Sequence, residues 1–177
     1  MKKEILEEFK KNKKIMSLYS DYNDREAFNV GILVDYDNDF LLLNSISKYG
    51  NYDGILMIYV DDIFRIDSDS KYNNRILDLL SNKESKKYNF DKYDNCMEKF
   101  FNYAIDNEII VSISLFNSDN KNEIVGKIKS YNDEQIEVYC YDEDGKKDGI
   151  SFIKTDEINF ASLDSEDENM ISSLIKD

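Results

Sequence analysis

The stretch from Val30 to Ile66, VGILVDYDNDFLLLNSISKYGNYDGILMIYVDDIFRI, has a counterpart from Val125 to Ala161, VGKIKSYNDEQIEVYCYDEDGKKDGISFIKTDEINFA. An offset of 95 residues superimposes the two stretches without a gap, and it places Gly31 on Gly126. A long repeat with aligned glycines is typical of a duplicated domain. The sequence therefore predicts two modules of similar fold.

The predicted modules are residues 1–82 and residues 83–177, related by the 95-residue offset. Each is near the size at which a single hydrophobic core is only modestly stable. Gly54 coincides with Gly149 in the same alignment. We predict that these two glycines and the pair formed by Gly31 and Gly126 are structural positions. A glycine inside a strand is typical of a bulge or sharp bend, so the latter pair is expected to form equivalent bends in the second strand of each module.

The order of elements is predicted to be the same in both modules. Apolar residues recur at helical spacing in residues 2–13 and 90–107, which indicates a helix at the start of each module. Short alternating segments then predict five strands. Residues 48–54, KYGNYDG, contain two glycines and an Asp-Gly pair, and they predict a hairpin turn. The predicted fold class is mainly β with flanking helices, α+β.

This order resembles the Sm-like variant of the SH3-like barrel. The resemblance is carried by Gly31-x-Leu33-x-x-Tyr36-Asp37 and by the later Asp61-Asp62-Ile63, and it covers most of both modules. It implies two tandem small β-barrels, each preceded by an α-helix. In Sm-like proteins an Asn after the aromatic-Asp pair and an Arg-Gly pair before the last strand hold a uridine. Here Leu41 occupies the Asn position, and Tyr59-Val60-Asp61-Asp62 precedes the last strand. The resemblance therefore implies the fold without the RNA pocket.

The net charge of the chain indicates which classes of partner are expected. The chain of 177 residues has 37 acidic against 23 basic side chains, a formal net charge of −14. Nucleic-acid affinity depends largely on basic side chains that replace counterions, and anionic membranes also attract basic segments. We therefore expect neither nucleic acid nor a membrane as partner. No apolar run approaches the roughly 20 residues of a membrane span, and the N-terminus lacks the apolar core of a signal peptide. These features predict a cytoplasmic protein.

Residue types that serve metals and nucleophilic catalysis are scarce. The chain has no histidine and two cysteines, Cys96 and Cys140, so a zinc site or a disulfide framework is not expected. Alternating acids in residues 35–39, DYDND, offer oxygen ligands but lack the glycine and distal glutamate of an EF-hand loop. No Ser-His or Cys-His pair, Walker motif or nucleophile elbow is present. The sequence predicts no metal, no cofactor and no enzymatic activity.

Tyrosines are concentrated in the first module, several of them in predicted turns. Tyrosine in loops is favoured at interfaces because it buries a large area at low entropy cost, although the same residues also suit the edges of a barrel. The second module has Asp144, Lys147 and Phe160 in place of Tyr49, Tyr52 and Arg65, so the two modules present different surfaces. We predict a binding face on the first module's hairpin and adjoining turns. Its residues are Tyr36, Tyr49, Tyr52, Tyr59 and Arg65.

Three functions follow as hypotheses. The first is a non-enzymatic acidic binding protein, an inhibitor or immunity-type partner of a basic protein, whose charge speeds association. The second is a small-molecule or nucleotide binder that uses a groove between the modules. The third is an RNA-binding Sm-like protein, which the charge disfavours. Because the duplication can satisfy one exposed strand edge within the chain, we expect a monomer or a small oligomer.

Overall fold

The computed structural model describes residues 3–80, 87–116 and 123–175. The chain divides into two compact units, Met1–Tyr88 and Asn89–Asp177. The predicted boundary between residues 82 and 83 lies outside the described residues. Within the described ranges, no helix is both long enough and apolar enough to cross a membrane.

The described residues of the first unit form two helices and five strands. In chain order they are α1 (Lys3–Asn12), β1 (Ile15–Tyr19), β2 (Asn29–Tyr36), β3 (Phe40–Ile46), β4 (Tyr52–Tyr59), a 3-10 turn (Val60–Asp62), β5 (Arg65–Ser68) and α2 (Lys71–Leu80). The strand order in the sheet is β5-β1-β2-β3-β4, and each of these pairs is antiparallel. The amphipathic helix α1 packs on β2 and buries Leu6 and Phe9.

The second unit repeats this order. Its elements are α3 (Cys96–Asp106), β6 (Ile110–Leu115), β7 (Ile124–Tyr131), β8 (Gln135–Tyr141), β9 (Lys147–Lys154), a 3-10 turn (Thr155–Glu157), β10 (Ile158–Leu163) and α4 (Glu166–Leu174). The strand order is β10-β6-β7-β8-β9, again antiparallel. The prediction of a mainly β fold with flanking helices is confirmed.

Irregularities of the strand pairing follow the same offset in the two units. The register between β2 and β3 shifts between Leu33 and Asp35, and that between β7 and β8 shifts between Ile128 and Ser130. The next pair of strands has a second shift, at residues 44–46 in the first unit and at residues 139–141 in the second. A bulge bends its strand and increases the local twist. The repeated sequence therefore specifies the same curvature twice.

The aligned glycines of the second strands mark close main-chain contacts. A Cβ atom on Gly31 would lie 2.3 Å from the carbonyl oxygen of Asn44, and one on Gly126 would lie 2.2 Å from that of Tyr139. Both glycines are in regular register, opposite Ser45 and Cys140, and the bulge follows later in the strand. The predicted bend is thus displaced along the strand, and the glycines themselves allow the two strands to approach.

The hairpin turn of the first unit lies earlier than the Asp-Gly pair suggests. Ser47 and Asn51 close it, with Ser47 N donating to Asn51 O at 2.8 Å, and Gly50 has a φ of +71°. Gly54, at φ +76°, belongs to β4, and its counterpart Gly149, at φ +92°, belongs to β9. The prediction that Gly54 helps to form the turn is therefore wrong, because β4 already begins at Tyr52.

Candidate functional site

The five residues predicted as a binding face are distributed over different parts of the first unit. Tyr36 and Tyr59 lie at one end of the sheet, where the paired β2, β3 and β4 meet. The Tyr36 hydroxyl donates to Glu7 Oε1 at 2.7 Å, and this hydrogen bond, with burial and nearby carboxylates, raises the pKa of Tyr36 to about 12. Tyr59 packs edge to face on Phe40, with ring centroids 5.5 Å apart. Both tyrosines are engaged within the unit.

Tyr49 and Tyr52 lie at the opposite end, beside the hairpin turn. Tyr49 is 66% exposed, with the Lys48 ammonium 5.1 Å from its ring centroid. Tyr52 is half-buried and packs on a cluster of five buried side chains, Ile15, Val30, Ile46, Ile76 and Leu80. Arg65 lies on β5. It belongs to a different group of side chains.

That group is the most distinctive surface feature of the first unit, and we call it the aromatic–arginine cluster. It combines five aromatic rings with two of the three arginines of the chain. Its members are Tyr19, Tyr22, Arg25, Phe28, Phe64, Arg65 and Tyr72.

Strand pairing and a structured loop bring these residues together. Tyr19 at the end of β1 lies opposite Arg65 at the start of β5, and Phe64 N donates to Tyr19 O at 3.1 Å. The loop between β1 and β2 carries Tyr22 and Arg25. Its turns are stabilised by aspartate side chains, since Asp21 Oδ1 accepts from Asn23 N at 2.8 Å and Asp24 Oδ1 accepts from Glu26 N at 3.1 Å. Such aspartate turns are a common way to fix a loop conformation.

The rings form a continuous chain of contacts. Tyr22 and Phe64 have centroids 5.1 Å apart, Phe64 and Tyr19 are 6.4 Å apart, Tyr19 and Phe28 are 5.2 Å apart, and Phe28 and Tyr72 are 5.3 Å apart. The Arg25 guanidinium lies 5.5 Å from the centroids of Tyr22 and of Phe64. These separations are typical of favourable aromatic and cation–π contacts. The loop is therefore held to the end of the sheet by its own side chains.

Arg65 is oriented by both an aromatic ring and a carboxylate. Its guanidinium lies 4.4 Å from the Tyr19 ring centroid and donates to both carboxylate oxygens of Asp67, at 2.9 Å and 2.6 Å. The Tyr19 hydroxyl donates to the same carboxylate at 3.1 Å. The Arg65 hydrogen bonds lower the pKa of Asp67, while burial and then Asp67 raise the pKa of Tyr19. At neutral pH Asp67 is therefore negatively charged and Tyr19 is neutral.

A large part of the cluster faces solvent. Tyr22 is 54% exposed, Phe28 38% and Tyr72 37%, whereas Tyr19 is buried. Binding hot spots in protein interfaces are enriched in tyrosine, tryptophan and arginine. Because the rings and guanidiniums are already oriented, little side-chain entropy is lost when they bind. The arrangement suits recognition of a surface.

The described part of the second unit has no equivalent cluster. The residues at the positions of Tyr19, Phe28, Phe64, Arg65 and Tyr72 are Ser114, Glu123, Asn159, Phe160 and Asp167. The counterparts of Tyr22 and Arg25 lie in residues 117–122, outside the described ranges. Sequence reasoning found Arg65 but missed the other six members. The available signal was that the three arginines, at positions 25, 65 and 75, all lie in the first half of the chain.

Carboxylates occupy the corresponding region of the second unit. Glu168 is 2% exposed, and it accepts hydrogen bonds from the Ser162 hydroxyl and from Ser165 N, the latter at 2.8 Å within a capping box at the start of α4. The Glu123 carboxyl group lies 3.4 Å from the Ser114 hydroxyl. Desolvation and then the nearby Glu168 carboxylate raise the pKa of Glu123. Searching the described residues finds no group of three or more His, Cys, Asp or Glu side chains that could hold a metal ion.

The charge of the chain is concentrated in the second unit. Residues 1–88 contain 14 basic and 16 acidic side chains, whereas residues 89–177 contain 9 basic and 21 acidic ones. The formal net charges are therefore −2 and −12. The aromatic–arginine cluster therefore lies in the first unit, whereas most of the excess of acidic side chains lies in the second.

Comparison with protein-family models, with curated proteins and with solved structures found no match.

Proposed function

We propose that this chain is a non-enzymatic binding protein whose partner is another protein, contacted through the aromatic–arginine cluster. The observation that carries this proposal is the exposure of Tyr22, Phe28 and Tyr72 beside two preoriented arginines. Interfaces concentrate their binding energy in a few residues of these types. The cluster is confined to one unit, which favours recognition of a specific surface.

The charge of the second unit supports a partner with a basic surface. A net charge of −12 on residues 89–177 attracts basic proteins over distances comparable to the Debye length, about 8 Å at physiological salt. Such attraction raises the association rate and selects against acidic partners. An inhibitor or immunity-type role, in which the chain covers a basic functional surface, fits this charge. Nucleic acid and membranes are not among the proposed partners, and no cofactor is needed.

Two further parts of the proposal concern the fold and its setting. We propose that the five strands of each unit form a small Sm/SH3-like barrel, supported by the strand order β5-β1-β2-β3-β4 and by the 3-10 turn between the fourth and fifth strands in both units. We also propose a cytoplasmic location and a monomer or small oligomer. The unbridged Cys96 and Cys140 are compatible with a reducing compartment.

Photo-crosslinking tests the proposed contact. A photoreactive group at position 22 is expected to capture one protein from the lysate of the native cells, and that protein is then purified for affinity measurement. Replacement of Tyr22 and Arg25 by alanine should weaken its binding by at least about 30-fold, because hot-spot truncations cost about 2 kcal/mol or more. Tyr49→Ala is the matched control, since Tyr49 is at least as exposed as Tyr22, 66% against 54%, but lies outside the cluster. Equal losses in the cluster variant and in the control would refute the assignment.

A further inference from the structure

Strand β9 carries an exposed apolar surface in the otherwise acidic second unit. Ile150 is 51% exposed and Phe152 67%, and Tyr139 on the neighbouring strand β8 is 40% exposed. Tyr139 lies directly opposite Ile150 in the antiparallel register, and Ile150 and Phe152 are two residues apart. Residues in these positions project from the same face of a sheet. The three side chains therefore form one apolar patch.

The corresponding residues of the first unit are buried. Asn44, Ile55 and Met57 occupy the positions of Tyr139, Ile150 and Phe152, and they are 9%, 0% and 0% exposed. The two strands have the same length and the same bulge positions, so the comparison is between equivalent sites. These three positions are therefore buried in the first unit and exposed in the second. Exposed apolar residues in a contiguous patch are typical of an interaction surface.

Strand β9 is also a sheet edge. It is the last strand in the order β10-β6-β7-β8-β9, and β8 is its only partner among the described strands. An edge strand presents unpaired backbone donors and acceptors to any extended segment. The edge strand β5 of the first unit is only four residues long and carries Arg65 and Asp67, which are features that protect an edge. At eight residues and with exposed apolar side chains, β9 lacks that protection.

Carboxylates outnumber ammonium groups at both ends of β9. The turn before the strand contains Asp142, Glu143 and Asp144 against Lys146, which is paired with Asp144 at 2.7 Å, and the strand itself begins with Lys147 and Asp148. At the other end Thr155 donates to the carbonyl oxygens of Asp133 and Glu134, which fixes that acidic turn beside the strand end. Asp156 and Glu157 follow directly. Both ends of β9 therefore favour a positively charged neighbour.

We propose that β9 binds an extended segment of a partner protein by adding it as a further antiparallel or parallel strand. The segment has apolar side chains at alternate positions, which contact Ile150 and Phe152 on the neighbouring strand β9 and extend the apolar patch, and lysine or arginine at both ends, which face the acidic turns. Strand addition of this kind takes its affinity from main-chain hydrogen bonds and its specificity from alternate side chains. The surface is separate from the aromatic–arginine cluster and extends the proposed function by a second contact.

Designed peptides test this proposal on the full chain. Two probes share a centre of about seven alternating valine and threonine residues, the length of an ordinary strand, and carry either two lysines or two glutamates at each end. Hydrogen exchange followed by NMR is expected to show slower exchange of β9 amides with the lysine probe. The glutamate probe should bind at least about tenfold more weakly, since like charges oppose it at both turns.

Variants of exposed residues identify the surface without threatening the fold. Ile150→Thr with Phe152→Thr should weaken binding of the lysine probe at least about tenfold, because the apolar contacts are lost while strand propensity is kept. Met170→Thr, which changes a residue that is 55% exposed on α4, is the matched control and should leave binding unchanged. The Tyr22→Ala, Arg25→Ala variant should also bind the probe normally, so this test is independent of the proposed function.

Three results would overturn the proposal. One is the absence of slowed exchange in β9 with the lysine probe at millimolar concentration. Another is equal binding of the two probes, which would remove the role of the acidic turns. The third is concentration-dependent dimerisation that Phe152→Thr abolishes, because β9 would then be covered by a second copy of the chain.

Discussion

Gly31 and Gly126 are positions at which one added methyl group would meet main-chain atoms. Because a Cβ would lie 2.3 Å and 2.2 Å from carbonyl oxygens of the neighbouring strand, neither strand can keep its place after substitution. We expect Gly31→Val or Gly126→Val to lower the free energy of unfolding by about 1–3 kcal/mol, measured by urea denaturation. Ser130→Val places the same side chain at an exposed position of β7 and is the control. Wild-type stability in both glycine variants would show that the close contact is not needed.

Glu123 gives the second residue-scale prediction, a dependence of stability on pH. Its pKa is raised above the usual value of 4.5, so the folded protein holds this proton more tightly than the unfolded chain does. Linkage then makes the charged carboxylate destabilising at neutral pH, and the penalty disappears as the pH falls through the raised pKa. Glu123→Gln should therefore melt at a slightly higher temperature than wild type at pH 7.

The same two proteins should melt at more similar temperatures as the pH falls through the raised pKa of Glu123, because the wild-type carboxyl group then becomes protonated in the folded protein. Calorimetry at several pH values measures this difference. Glu134→Gln removes one carboxylate from an exposed turn and is the control for the change in net charge. A gap between Glu123→Gln and wild type that stays constant with pH would contradict the assigned direction of the shift.

Helix α2 is the element whose attachment depends most on one polar residue. Asn73 is 3% exposed, and its amide donates to Ile15 O at 3.3 Å and to Asp67 O at 3.2 Å while its carbonyl accepts from the Ser17 hydroxyl at 3.0 Å. Asn73→Ala leaves these buried groups without partners, at a cost of about 1–3 kcal/mol. Urea denaturation measures the loss, and hydrogen exchange in α2 locates it.

The neighbouring Asn74 provides a matched control for this change. It is exposed, and its amide makes one long hydrogen bond, 3.4 Å, to Asp69 O. Asn74→Ala should change the free energy of unfolding by less than about 0.5 kcal/mol, as surface substitutions usually do. Equal effects of the two substitutions would mean that packing of α2, and not Asn73, attaches the helix to the sheet.

Elements were predictable where one local pattern determines them. The helical spacing of Leu6 and Phe9 predicts α1, and alternating segments predict the strands. Asp53-Gly54 has the local chemistry of a hairpin turn, so the sequence predicts the turn there. In the structure the turn forms earlier, where Gly50 N donates to Ser47 O at 2.9 Å. The position of the turn is decided by how β3 and β4 pair, and strand pairing depends on residues outside the turn. The helix predicted over residues 90–107 similarly begins only at Cys96, capped by Asn95.

At the scale of the whole molecule, the repeat was visible in the sequence and the candidate site was not. The offset that aligns the glycines also relates the bulges and the strand order. The aromatic–arginine cluster depends on the pairing of β1 with β5, which places Tyr19 beside Arg65 although they are distant in the chain. The division of charge between the units was countable from the sequence. The structure is needed to define the two units between which this charge is divided.

The last prediction concerns nucleic acid, because aromatic rings beside arginine are also a platform on which bases stack. Stacking alone is worth about 1–3 kcal/mol per base, whereas useful affinity requires basic side chains along the phosphates. The first unit has a net charge of −2, and Arg65 is already paired with Asp67. We therefore expect no binding of uridine-rich RNA or duplex DNA at physiological salt in fluorescence anisotropy. Micromolar binding that weakens steeply with added salt, and that Tyr22→Ala with Arg25→Ala abolishes, would instead assign the cluster to nucleic acid.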